Sequence, residues 1–234
     1  MLGECPPHLL AVYDLTLTTM WSPHTFPRQY PQWRPPAQWS KLIGLWFRVQ
    51  NCTELYCCRL FPQPCIPSVP CWSAFKYTGT TLQYSIVHYS TIKYTVQVQQ
   101  FVEKASTEGL DKIPQAKPVL DLFLAPPIEK GVGQSKTTLM VDGKHSMISF
   151  ISKIIPSPDW FIGLDGLDLC KNGSWSPLVE MEVDLLDGGT DNGFTFTSPN
   201  YPTLPPSPVQ KITNILPDHP AGKHIYGQKI SRQA

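Results

Sequence analysis

Residues Ser146–Cys170, SMISFISKIIPSPDWFIGLDGLDLC, decide the fold class. Ser146–Ile155 is apolar on both of the faces that a strand's period of two presents, as a central strand covered on each side requires. Pro156 and Pro158 stop it, because proline donates no ladder hydrogen bond. Trp160–Leu164 then resumes a strand-like run directly after Asp159. The same signals recur outward from this pair. In Tyr13–Trp21, residues Tyr13, Leu15, Leu17 and Trp21 alternate with Asp14, Thr16 and Thr18, the pattern of a half-buried strand. Thr137–Val141 is another candidate, and in Met181–Leu185 the apolar Met181, Val183 and Leu185 alternate with Glu180, Glu182 and Asp184. Phe194–Thr197 reads as a short further strand. A helical pattern is confined to Val96–Ser106, which Gly109 would end.

Trp21–Gly44, WSPHTFPRQYPQWRPPAQWSKLIG, has a different texture. Its prolines forbid regular structure, so its aromatics are expected to pack as an irregular arm over a sheet. There is no βαβ alternation and no internal repeat. The expectation is a mainly β fold: an antiparallel β-sandwich with a proline-rich N-terminal arm and one or two short helices.

Composition agrees with that class. The chain has 234 residues, 41% hydrophobic and 16% charged, with 25 prolines. Charge is below the roughly 25% of ordinary globular domains. A net charge of +1 gives no electrostatic case for nucleic acid or an anionic membrane surface. No apolar run approaches the ~18 residues of a membrane span. The start, MLGECPPHLLAV, has no basic head and no adequate apolar stretch, so no signal peptide is visible.

Of the 7 cysteines, five fall in the run from Cys52 to Cys71, while Cys5 and Cys170 stand alone. An isolated pair in a β-rich chain fits a disulfide made in an oxidising compartment, or equally two buried free thiols. The segment Leu45–Lys93 shows neither strand nor helix period. A small disulfide knot there would leave one cysteine unpaired, and a zinc site lacks CxxC pairs and a matching histidine pair. An aberrant insertion is the favoured account. Asn51-Cys-Thr and Asn172-Gly-Ser fit the N-glycosylation pattern.

Asp187 and Asp191 frame the run DGGTD, with Gly193 just beyond, and Asp159 lies in the turn after Ile155. Glycines exclude a helix through that run. Carboxylates so close repel one another unless a cation or donors intervene, and a hard ion such as calcium takes oxygen ligands from irregular loops. A plain surface turn explains the same residue types. For catalysis the residues offer little. No histidine sits in an HExxH context, no GxSxG elbow is present, and His145–Ser146 adjacency does not make a nucleophile–base pair. Gly131-Val-Gly133 lacks the third glycine of a nucleotide fingerprint.

The strings WSPHTFPRQYP, RPPAQWSKLIG, HSMISFISKIIPSPDWFIGLDGLDLC, DGGTDNGFTFTSPN and ITNILPDHPA resemble the spondin domain of the F-spondin and mindin family. The likeness covers roughly residues 10–44 and 97–226. It implies an extracellular, calcium-binding β-sandwich without catalytic activity. Asp159, Asp187 and Asp191 would be the calcium ligands, and Cys5 and Cys170 a disulfide. It further implies a secreted matrix protein in cell adhesion, with an integrin-like cell-surface receptor or a matrix component as partner and a role in innate immunity. A metal-dependent hydrolytic or lectin-like sandwich is the alternative. The family's further carboxylate near the ion is matched by Met140, with Asp142 two residues on and facing the same way. The domain is expected over 1–44 and 94–226, with 45–93 an atypical cysteine-rich insert and 227–234 a tail, the family's last strand being absent.

Overall fold

The computed structural model describes residues 5–26, 29–47, 93–108, 110, 119–207, 209–212 and 226–233. Strand β1 (Leu10–Met20) is the spine of a four-stranded antiparallel sheet. It lies between β5 (Val132–Asp142) and β13 (Tyr226–Arg232), and β13 pairs in turn with β10 (Leu178–Glu182). A larger antiparallel sheet runs β12 (Gln210–Lys211), β11 (Asp184–Asp187), β7 (Trp160–Asp168), β6 (Met147–Ile155), β3 (Leu42–Phe47), β4 (Val119–Ala125), with β2 (Gln38–Trp39) also paired to β6. The hairpin of β8 (Cys170–Lys171) and β9 (Ser174–Trp175) stands apart. The mainly β expectation holds.

The two sheets bury one face each against the other. Ala11, Tyr13, Leu15 and Leu17 of β1 meet Ile148, Phe150 and Ile154 of β6 and Trp160 and Ile162 of β7 in one continuous core. The opposite face of the larger sheet is covered by helix α1 (Lys93–Lys104), whose Phe101 and Val102 pack on Ile43, Leu45, Ile151 and Phe161. That third layer explains why β6 is apolar on both faces. The helix ends at Lys104, before Gly109, where Ala105 adopts a left-handed φ of 57°.

The proline-rich arm packs as its composition requires. Trp21, Phe26 and Trp39 are buried, and the Trp39 indole donates to the Gly131 carbonyl at 3.0 Å. Trp21 lies 5.8 Å from Trp39 and 4.8 Å from Phe196, which also meets Phe26 at 6.4 Å and Trp160 at 5.3 Å.

Four boundaries differ from the sequence reading. Residues 227–232, read as a tail, belong to β13, which pairs with β1 from Tyr13↔Arg232 to Thr19↔Tyr226, so a last strand is present. Leu45–Phe47, read as the start of an insert, complete β3 between β4 and β6. The remainder of that segment, residues 48–92, lies outside the described residues. The run Met181–Leu185 is two strands in different sheets, broken at the buried Val183. Phe194–Thr197 is a turn: Thr195 N–H donates to Ser198 Oγ at 2.9 Å and Ser198 N–H to the Thr195 carbonyl at 3.2 Å.

Candidate functional site: an acidic cluster between two loops

Asp159 sits in the β6–β7 turn, immediately before Trp160 opens β7, and its side chain is fully buried. Oδ2 accepts the backbone N–H of Thr190 at 2.7 Å, the Thr190 hydroxyl at 3.2 Å and the backbone N–H of Asp191 at 3.1 Å. Oδ1 is buried with no hydrogen-bond partner. A buried carboxylate oxygen without a donor is costly. Burial, and next the charge of Asp187, push the Asp159 carboxyl up to about 6 against the pull of those N–H groups.

The loop closing on Asp159 is shaped by glycine. Gly188 donates its N–H to the Asp159 carbonyl at 3.2 Å. A Cβ at residue 188 would lie 2.9 Å from Val102 Cγ2 and 3.1 Å from Asp159 Oδ2. Gly189 takes a φ of 72°. Asp187, at the end of β11, accepts the Gly189 N–H at 2.8 Å. Its pKa is raised, chiefly by burial and also by the Asp191 charge, while the Gly189 N–H and the Trp160 indole draw it down. Asp191 is nearly buried, and its Oδ1 accepts the N–H of Gly193 at 2.8 Å and of Tyr201 at 3.2 Å. The three sequence-predicted aspartates are thus neighbours, the Asp159 carboxylate accepting the backbone N–H of Asp191. Among the described residues, no three His, Cys, Asp or Glu side chains gather as a metal centre.

Sequence reading missed Lys153. Buried to 3% exposure, it projects from β6 into its own hairpin turn, where Nζ donates to the Ser157 carbonyl, Ser157 Oγ and the Pro158 carbonyl, each at 3.1 Å. Burial draws its pKa down to about 8, opposed by Asp159, Asp191 and Glu103. The signal was available: a lysine inside an otherwise two-faced apolar strand.

The remaining candidates are distributed elsewhere. Cys5 and Cys170 form a disulfide with Cα atoms 5.9 Å apart. Asn172 is exposed at the β8–β9 turn, where φ values of 53° at Asn172 and 77° at Gly173 define a two-residue hairpin of type I′. Asn51 lies outside the described residues, as do Cys52–Cys71. Met140 and Asp142 cannot supply the acidic cluster. They face away from the core on the smaller sheet, since Leu139 and Val141 point inward, and Met140 is exposed. The Asp142 carboxylate is held by the N–H groups of Lys144 and His145 and by His145 Nδ1 at 3.0 Å. Ser146 Oγ donates instead to Asp168 at 2.7 Å, so His145 and Ser146 have separate partners.

The sequence that folds into this sandwich is matched by the Spondin_N family model over residues 11–56 and 55–232. The chain belongs to the Spondin_N family. It is 35% identical to rat Spondin-2 over 227 residues, and 34% identical to human Spondin-2, covering 95% of this chain and 58% of each relative. Rat Spondin-1 is 29% identical over 213 residues, 90% of this chain and 22% of the relative. The chain therefore spans a little over half the length of the Spondin-2 proteins.

Proposed function

We propose that the chain is a non-catalytic, calcium-stabilised adhesion module of the extracellular matrix. Calcium would be held by the carboxylates of Asp159, Asp187 and Asp191, with backbone oxygens or water completing its shell, as the ion commonly takes both. The observation that carries this reading is the Asp159 Oδ1 atom, fully buried and without a donor beside two further carboxylates. Every side-chain donor of the set is oxygen, which suits a hard cation. The ion would offset the mutual repulsion and stiffen the 187–204 loop. Phe194, Tyr201 and Leu204 stand exposed on that loop at 74%, 66% and 85%, and exposed large apolar groups support a contact surface for a protein partner.

Membership of the Spondin_N family and the disulfide support secretion. Among the described residues, no helix is long and apolar enough to cross a membrane. The partner class is a cell-surface receptor of the integrin type or a matrix component, with innate immune recognition as one setting. No Arg-Gly-Asp tripeptide occurs, so receptor contact would use another determinant. An Asn172 glycan would project from the β8–β9 turn.

Thermal unfolding in millimolar calcium and in excess chelator, with Asp191→Ala alongside, tests the site. At calcium a hundredfold above its dissociation constant the native state gains about 2.7 kcal/mol, a rise of roughly 2–4 °C per kcal/mol. The shift is expected in the wild type and absent from the variant. Equal melting in both buffers would reduce the aspartates to turn residues. Cell adhesion to the immobilised chain, with and without chelator, tests the adhesion reading separately.

A further inference from the structure

We propose that Lys153 is the positioning residue of the acidic site, its buried ammonium clasping the β6–β7 turn so that Asp159 meets the 187–191 loop; this rests on the calcium reading above. An ammonium has three N–H donors, and here they meet three oxygens, all belonging to the two residues directly before Asp159. Ser157 is itself a knot. Its hydroxyl lies 2.7 Å from the Ile154 carbonyl and 3.2 Å from both the carbonyl and the N–H of Trp160, tying the two strands together across the turn.

The base from which Lys153 projects is equally fixed. Its N–H donates to Ser40 Oγ at 2.8 Å, and its carbonyl accepts the Ser40 N–H at 2.9 Å. Lys153 therefore links a rigid strand to the turn that presents Asp159, without touching an ion itself. Burying a lysine beside its strand partner Phe161 is unfavourable unless its charge is well bonded, and the bonds its ammonium makes all converge on that turn.

Two effects of Lys153 on calcium have opposite signs, which makes the proposal decidable. A cation near the site repels calcium, so a purely electrostatic Lys153 would weaken binding and its removal would tighten it. A positioning Lys153 strengthens binding, and its removal loosens it; supporting groups around metal ligands typically change affinity about 10–100-fold.

The experiment compares wild type, Lys153→Met and Ser157→Ala by two readouts: amide hydrogen exchange in excess chelator and calorimetric titration with calcium chloride. Expected for Lys153→Met is faster exchange, by about tenfold or more, at the Thr190 and Asp191 amides that bond Asp159, with the Leu15 region unchanged. Calcium binding should be about 10–100-fold weaker. Ser157→Ala should shift both in the same direction by less. Unchanged exchange at Thr190 and Asp191 with equal or tighter calcium binding would overturn the proposal. Should the wild type bind no calcium, the calcium reading falls while the exchange comparison still decides whether Lys153 positions the loop. Should Lys153→Met not fold, unaltered exchange in Ser157→Ala overturns it.

Discussion

Asp191 donates its backbone N–H to Oδ2 of Asp159 at 3.1 Å, across a separation of 32 residues, while its own carboxylate accepts the N–H groups of Gly193 and Tyr201. One residue therefore joins the β6–β7 turn to the loop that bears the exposed Phe194 and Tyr201. The acidic cluster is at once an electrostatic liability and the hinge pin of two loops.

The first consequence concerns pH. The Asp159 carboxyl is raised from 3.8 to about 6. For an acid shifted upward, the stability contribution is present below the unfolded pKa and is lost as pH rises through the folded one. In chelator, ionising Asp159 should therefore cost on the order of 3 kcal/mol, accumulated as pH rises from 3.8 to about 6, and Asp187, whose pKa is also raised, should act in the same direction. In calcium the trend should reverse, because the ion requires the ionised form. Melting curves over a pH series of about 4 to 8, with and without calcium, measure both slopes. Asp159→Asn should flatten both and raise stability in chelator at neutral pH; parallel slopes in the two buffers would contradict the assignment.

Phe196 anchors the acidic loop in the aromatic core through Trp21, Phe26 and Trp160. Phe196→Ala should cost about 3–5 kcal/mol, read as a lower denaturant midpoint at unchanged slope. Loss of calcium-induced stabilisation beyond that cost would show that the anchor also orders the loop.

The Cys5–Cys170 disulfide closes a loop of sequence separation 165. On the chain-entropy account a loop of that length is worth about 5 kcal/mol, with measured losses typically 2–5 kcal/mol. The double variant Cys5→Ser, Cys170→Ser should lose a stability of that order, and wild type in reductant should melt at a similar temperature. A loss below about 1 kcal/mol would mean that the sheets hold the first strand unaided.

Ser174→Ala removes the glycosylation pattern while leaving the Asn172-Gly173 turn intact. Protein secreted from eukaryotic cells should lose one glycan in mass spectra, with melting little changed. An identical mass, apart from the substitution, would leave Asn172 as a turn residue alone, a role its φ of 53° already explains.

The strands of the core were legible because their neighbours bury what the period predicts. β1 alternates, and β6 is apolar on both faces because the smaller sheet and α1 cover it from opposite sides. The failures have physical causes. The alternation of Met181–Leu185 continues unbroken through Val183, although the chain passes from one sheet to the other there. Residues 226–232, YGQKISR, hold one buried aliphatic, Ile230, and become a strand because β1 and β10 both offer them partners. The aspartates were legible from their glycine context and from family likeness. Lys153 stood out as a lysine within a two-faced apolar strand, but the turn that folds back to bond its side chain did not.

The bridge between Cys5 and Cys170 also governs what a protease can do to the molecule. Every peptide bond from residue 6 to residue 169, including the whole stretch from Arg48 to Ile92, lies inside the covalent ring it closes. A single cut anywhere in that interval yields two fragments that travel together until a reductant separates them. Processing within the ring would thus create new chain ends without releasing either half.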